Sequence, residues 1–169
     1  MRGCGDAPPR PDRPMRLCLI ALAALLVLAG CQHPGSPSRG ETTTDGFRAV
    51  MERLAAAWNA GDAAAGVDCF TEDAVYGAPP DPRVRRGRPV LYEYFGGVSG
   101  RPHPMHMQWH HLLFDEREQI GAGEYTFQYE IRTHGVVMVK LVDGRISRWR
   151  EYEVESSLDW EQLAGETRF

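Results

Sequence analysis

Cysteine is scarce where a small domain would need it. Four occur among the 169 residues, at Cys4, Cys18, Cys31 and Cys69, and only Cys69 lies beyond residue 31. No disulfide can form inside a domain built from the later residues, so its core must hold it. Cys69 itself, in an apolar helical context, reads as a buried structural thiol rather than a nucleophile. Long apolar runs are also missing. Leu17 to Leu28 is a run of about a dozen residues, short of the roughly 20 that a helix needs to cross a bilayer. Positive charge is not in excess. The chain carries 19 basic and 23 acidic residues, of which the first thirty take four and two, leaving 15 against 21 in the remainder, a net charge of −6. Such an acidic domain excludes nucleic acid as a partner and offers no polybasic surface to anionic lipid. There is no internal repeat, phosphate loop, dinucleotide fingerprint or nucleophile motif, and no cofactor is expected.

What is present begins with a basic region, Arg10, Arg13 and Arg16, ahead of the apolar run, which closes in Leu28-Ala29-Gly30-Cys31. The length suits the apolar core of a secretory signal, and the tetrapeptide resembles the lipobox of bacterial lipoproteins. That resemblance implies cleavage before Cys31, lipid on Cys31, and a protein anchored by that lipid to the membrane of a bacterial cell envelope, outside the cytoplasm. Gln32 after the cysteine implies the outer membrane where there is one. Met15-Arg16 opens a more compact signal, so Met15 is an alternative start to Met1. The reading divides the chain into a signal peptide over 1–30, a polar tether over 31–44 rich in Pro, Ser, Thr and Gly, and one domain over 45–169.

The domain opens with a helix. Phe47, Val50, Met51, Leu54 and Trp58 recur at spacings of three and four, behind Thr44 or Asp45 as cap. Gly61 stops it, and Asp62 can cap a short Ala-rich helix over 63–70. Ala74-Val75-Tyr76 reads as a brief strand, 77–88 as a loop rich in Pro and Arg, and Pro89 as the first turn of a third helix over 90–95. Four strands follow, over 105–114, 120–132, 136–142 and 145–154. Asp143-Gly144 is a hairpin turn between the last two, and Glu116-Arg117-Glu118 and Thr133-His134-Gly135 are the other turns. Short helices followed by a long meander predict an α+β domain.

The segment Ala57-Trp58-Asn59-Ala60-Gly61-Asp62 resembles the first-helix signature of SnoaL-like proteins of the nuclear transport factor 2 superfamily. Phe70 to Tyr76, Gly87, and Asp143-Gly144-Arg145-Ile146 running into Trp149-Arg150-Glu151-Tyr152 fit in the same order, over about residues 45–155. The resemblance implies a cone-shaped, curved antiparallel sheet wrapped around three N-terminal helices, with an apolar pocket inside. Some members are isomerases, epoxide hydrolases, cyclases or dehydratases, and others only bind ligands or partners. The Asp-Arg-Asp set of the limonene epoxide hydrolase members has no residue-by-residue match here. The favoured function is binding of a small apolar or amphiphilic molecule in the cone. The alternatives are a small-molecule isomerase, hydratase or cyclase, and a noncatalytic envelope interaction module. The outer sheet face is a candidate homodimer surface.

Strand alternation puts Trp149, Glu151 and Glu153 on one face, and Arg148, Arg150 and Tyr152 on the other. The resemblance places a pocket carboxylate at Glu151, where burial would raise its pKa and suit it to acid–base work; the other reading is a surface strand with ion pairs. His103, His106, His110 and His111 cluster within nine residues. Imidazoles four apart on a strand stand about 13 Å apart, so no metal site is expected. Instead His110 pairs with Glu151 as a candidate acid or base. Alternation sets His111 opposite His110, and both faces of the strand contain apolar residues, so the inward histidine stays open. Candidate ligand contacts are Trp58, Tyr76, Tyr92, His111, Glu124 and Trp149, with core packing as the competing reading for the aromatics. The run Arg83, Arg85, Arg86 and Arg88 reads as a solvated loop.

Overall fold

The computed structural model describes residues 40–169. The export signal, the lipobox at Cys31 and most of the tether lie outside the described residues. The end of the expected tether is bound to the domain: the Thr42 amide donates to Gln119 Oε1, and Gln119 Nε2 donates back to the Thr42 carbonyl, each at 2.9 Å.

Helix α1 is Thr44–Asn59, and its cap is Thr43, whose hydroxyl accepts from the Gly46 amide. Thr44, expected as a cap, instead gives its amide and hydroxyl to Glu116 Oε1. Phe47, Val50, Met51, Leu54 and Trp58 are all buried, as the periodicity required. Gly61 adopts φ 67° just past the end, a left-handed turn that suits glycine. Asp62 caps α2, Ala63–Asp68, by accepting from the Ala65 amide. Cys69 follows, free and fully buried, and burial pushes its thiol up.

Strand β1, Phe70–Gly77, is longer than the three residues read from sequence. The Arg-rich loop contains a short strand β2, Val84–Arg86, antiparallel to β1. Helix α3, Arg88–Tyr94, takes Pro89 in its first turn. Next come β3, His106–Asp115; β4, Ile120–Gln128; β5, Arg132–Val142; and β6, Arg145–Glu155. These four form an antiparallel meander in a six-stranded sheet of order β2-β1-β6-β5-β4-β3. One pairing departs from the antiparallel expectation: β1 joins β6 in parallel. Asp143 and Gly144 make the β5–β6 turn with φ 49° and 74°.

Thr133-His134-Gly135 is not a turn. All three residues pair within β5, opposite Phe127, Thr126 and Tyr125, and the chain reverses at residues 129–131 instead. Gly135 is there for packing: a Cβ on it would stand 2.6 Å from the Tyr125 ring. The sheet curves round the helices, and Phe47, Met51, Leu54, Trp58, Tyr125 and Trp149 fill the space between them. A fourth helix, α4, Trp160–Ala164, has no counterpart in the sequence reading. Its capping box, Asp159 with Gln162, is the signal that could have found it.

Candidate functional site

Glu151 faces the inside of the cone beside Trp149, as alternation along β6 dictates. Only 8% of it is exposed, against 50% for the adjacent Tyr152. Three donors from three strands meet its carboxyl group. The Tyr76 hydroxyl on β1 donates to Oε1 at 2.5 Å. The Trp149 indole N–H on β6 donates to Oε2 at 2.9 Å, and the Tyr125 hydroxyl on β4 reaches the same oxygen at 3.3 Å.

Two effects compete at this carboxyl. Burial disfavours its charge, and the three hydrogen bonds favour it. Burial wins, and the pKa is pushed up to about 7, with the Glu153 carboxylate adding to the rise. Burial and the Glu151 charge also push both phenols up, so Tyr76 and Tyr125 remain donors. When Glu151 takes a proton, the indole N–H still needs an acceptor at Oε2, whereas the Tyr76 hydroxyl can rotate to accept. The proton therefore belongs on Oε1.

Next to this carboxyl lies a cavity of about 140 Å³, walled by Trp58, Tyr76, Met107, Tyr125 and Phe127. Its rim carries Tyr94, Tyr129, Arg101 and Glu153. Sequence reading thus brought Glu151, Trp58 and Tyr76 to one place, with Trp149 as a donor to Glu151 rather than a wall.

Four other candidates stand elsewhere. Tyr92 packs half-buried against the core, and Tyr94, two residues on, takes the rim position. His110, His111 and Glu124 all lie on the outer face of the sheet, in a broad depression of about 870 Å³. The cause is a bulge in β3. Trp109 pairs with Tyr125 and His111 with Glu124, so His110 is an extra residue, and the period of two breaks there. His111 consequently shares the outer side with His110, while Trp109 turns inward and donates to the Met51 carbonyl. The expected Glu151–His110 pair does not form; phenols stand where an imidazole was expected.

The outer histidines bind the C-terminal segment. His134 Nε2 meets the Leu158 carbonyl at 3.0 Å, so it must donate. In the neutral ring Nδ1 then accepts from Thr126 Oγ1 at 2.9 Å, and Thr126 accepts from His110 Nε2 at 2.7 Å. Trp160 of α4 stacks flat on His110, ring centroids 4.0 Å apart. Among the described residues no cluster of His, Cys, Asp or Glu could hold a metal ion.

Sequence reasoning missed Tyr125, Tyr94 and Arg101. In the sequence Tyr125 alternates with polar residues in a row with Phe127 and Tyr129, a pattern that marks an apolar strand face and nothing more. Its reach to Glu151 depends on two strand registers that no local pattern encodes.

Comparison with known proteins agrees with this architecture. The chain is similar in structure to a nuclear transport factor 2-like protein of unknown function from Burkholderia xenovorans LB400, at 18% identity over 70% of this chain and 92% of that one, with a TM-score of 0.57. An M.tuberculosis epoxide hydrolase of the limonene epoxide hydrolase-like kind matches at 20% identity, 66% and 84% coverage and a TM-score of 0.57. The epoxide hydrolase/cyclase-like enzyme SalBIII, of pyran ring formation in salinomycin, matches at 22% identity, 65% and 92% coverage and a TM-score of 0.55. At these identities the likeness concerns the fold. No curated protein has a sequence similar enough to count as a relative. The profile of the SnoaL-like domain matches residues 51–149, most of the helical layer and of the sheet, and the chain belongs to the SnoaL-like domain family.

Proposed function

We propose that the cone cavity binds one small apolar or amphiphilic molecule, with Glu151 as its polar contact on the inner wall. The observation that carries this reading is the 140 Å³ cavity walled by aromatic and Met side chains and touching a single desolvated carboxyl. A cavity of about 150 Å³ is enough to hold benzene, so the body of the ligand is about one six-membered ring. A specific observation favours a second reading, acid–base turnover of that ligand. With a pKa of about 7, Glu151 exists in both protonation states at neutral pH, the condition in which a carboxyl both takes and returns a proton.

Titration of the protein with toluene and cyclohexanone, followed by indole fluorescence from Trp58 and Trp149, tests the binding reading. Saturable change with these single-ring compounds and none with a multi-ring one is the expected result; no saturation with either would refute it. Exchange of the α-hydrogens of cyclohexanone for deuterium in D2O, followed by NMR, tests the second reading. Glu151→Gln should slow that exchange by about 10²–10⁴-fold while leaving binding in place.

We place this activity outside the cytoplasm, on a membrane, through lipid on Cys31. Mass spectrometry of the mature protein should find a diacylglyceryl-modified N-terminal Cys31, and Cys31→Ala should move the protein to the soluble fraction. An unmodified wild-type protein in that fraction would end this part of the reading.

A further inference from the structure

We infer that the ligand of the cone cavity carries a carboxylate, and that Arg101 at the rim is the residue that selects it. The inference rests on the binding reading above and adds the charge of the ligand.

Three observations converge on Arg101. It lines the cavity that Glu151 lines. Its guanidinium is held in place by aromatic faces and backbone rather than by an acid. It lies 5.3 Å from the Tyr94 ring centroid and 5.2 Å from that of Tyr129, and one terminal nitrogen donates to the Tyr94 carbonyl. Finally, its Nε is buried and has no hydrogen-bond partner among the described residues, and no carboxylate among them lies within ion-pair distance of the group. A half-buried cation with no counter-ion is costly unless an anion answers it, and that anion reaches the terminal nitrogens, because Nε is closed to solvent. A guanidinium fixed by stacking offers its remaining donors as a planar fork, which matches a carboxylate.

The opposite assignment, a cationic ligand in an aromatic cage, meets an obstacle. The ring faces at the rim are already engaged by the protein's own cations: Arg85 lies 3.7 Å from the Tyr94 centroid, and Arg101 approaches Tyr94 and Tyr129. Two groups oppose an anion: Glu151 on the inner wall when it is ionised, and Glu153. The exposed Glu153 carboxylate stands on the same rim, so its removal should tighten anion binding. The resulting ligand is a one-ring acid, its ring in the aromatic wall beside Glu151 and its carboxylate at the rim.

The experiment is calorimetric titration of the full-length protein with phenylacetate, phenylacetamide and toluene. A charged hydrogen bond contributes about 1.5–3 kcal/mol, so phenylacetate should bind roughly tenfold to a hundredfold more tightly than phenylacetamide. Arg101→Gln should erase that preference, losing far more phenylacetate affinity than toluene affinity, with an unchanged circular dichroism spectrum to show that the variant is folded. Arg101→Lys should restore part of the preference, and Glu153→Gln should increase it. Toluene binding with no preference for phenylacetate overturns this inference alone. Equal loss of toluene and phenylacetate in Arg101→Gln makes Arg101 a structural prop and overturns it too. Binding of none of the three compounds removes the cavity reading along with it.

Discussion

Glu151→Gln should make the protein more stable at pH 8 than the wild type, relative to their difference at pH 4.5, by about 3 kcal/mol. The carboxyl has a pKa of about 7 in the fold against 4.5 when free. Between those values the folded chain holds a proton that the unfolded chain has released. Stability from this group is therefore full below pH 4.5, falls as pH rises toward 7, and stays low above it. Gln cannot titrate, so the variant lacks this slope. It also copies the protonated geometry: its oxygen can accept from Trp149 and Tyr125, and its amide can donate to Tyr76, whose hydroxyl rotates to accept. Urea unfolding of both proteins across this range, with the two curves subtracted, cancels other acids such as half-buried Asp81 and exposed Glu116, whose hydrogen bonds hold them low in both proteins. Parallel curves would mean that Glu151 ionises normally, and the acid–base reading would go with the slope.

The direction of Glu151 was legible because β6 runs without a bulge from Trp149 to Glu151, so a period of two carries from one to the other. The first helix was legible for the same kind of reason: its apolar spacing is a local property, and Gly61-Asp62 marks both its end and the next start. The histidines were not, because one extra residue in β3 turns His111 over, and a bulge has no signature in the surrounding letters. Thr133-His134-Gly135 misled in another way. Turn-like composition there serves long-range packing, with Gly135 making room for Tyr125 and His134 buried under the C-terminal segment. The identity of the donors to Glu151 is a property of the assembled sheet. Tyr76, Tyr125 and Trp149 come from three strands, and only the register of β1 on β6 and of β4 through β5 onto β6 brings them together.

Trp149→Ala should cost the domain about 3–5 kcal/mol, a large fraction of the roughly 5–15 kcal/mol that holds an ordinary domain folded. The indole is 2% exposed and lies at the centre of the aromatic layer. It stacks on Tyr76 with ring planes 7° apart and centroids 5.6 Å apart, and makes edge contacts with Trp58 at 5.7 Å and Trp109 at 6.3 Å. Deleting it opens a cavity that rigid rings cannot close, since each is held from its other sides. It also strips one of three donors from a buried carboxyl. The two losses can be separated. Trp149→Phe keeps part of the packing while it removes the N–H, so it should cost less in urea unfolding than the Ala variant. The missing hydrogen bond was lowering the pKa of Glu151. Its removal should therefore raise that pKa above 7 and carry the stability slope to higher pH. An Ala variant that loses less than about 1 kcal/mol, the scale of an ordinary point substitution, would show that the aromatic layer is not the centre of the fold. A Phe variant whose slope stays in place would show that the indole packs beside the acid without governing its proton.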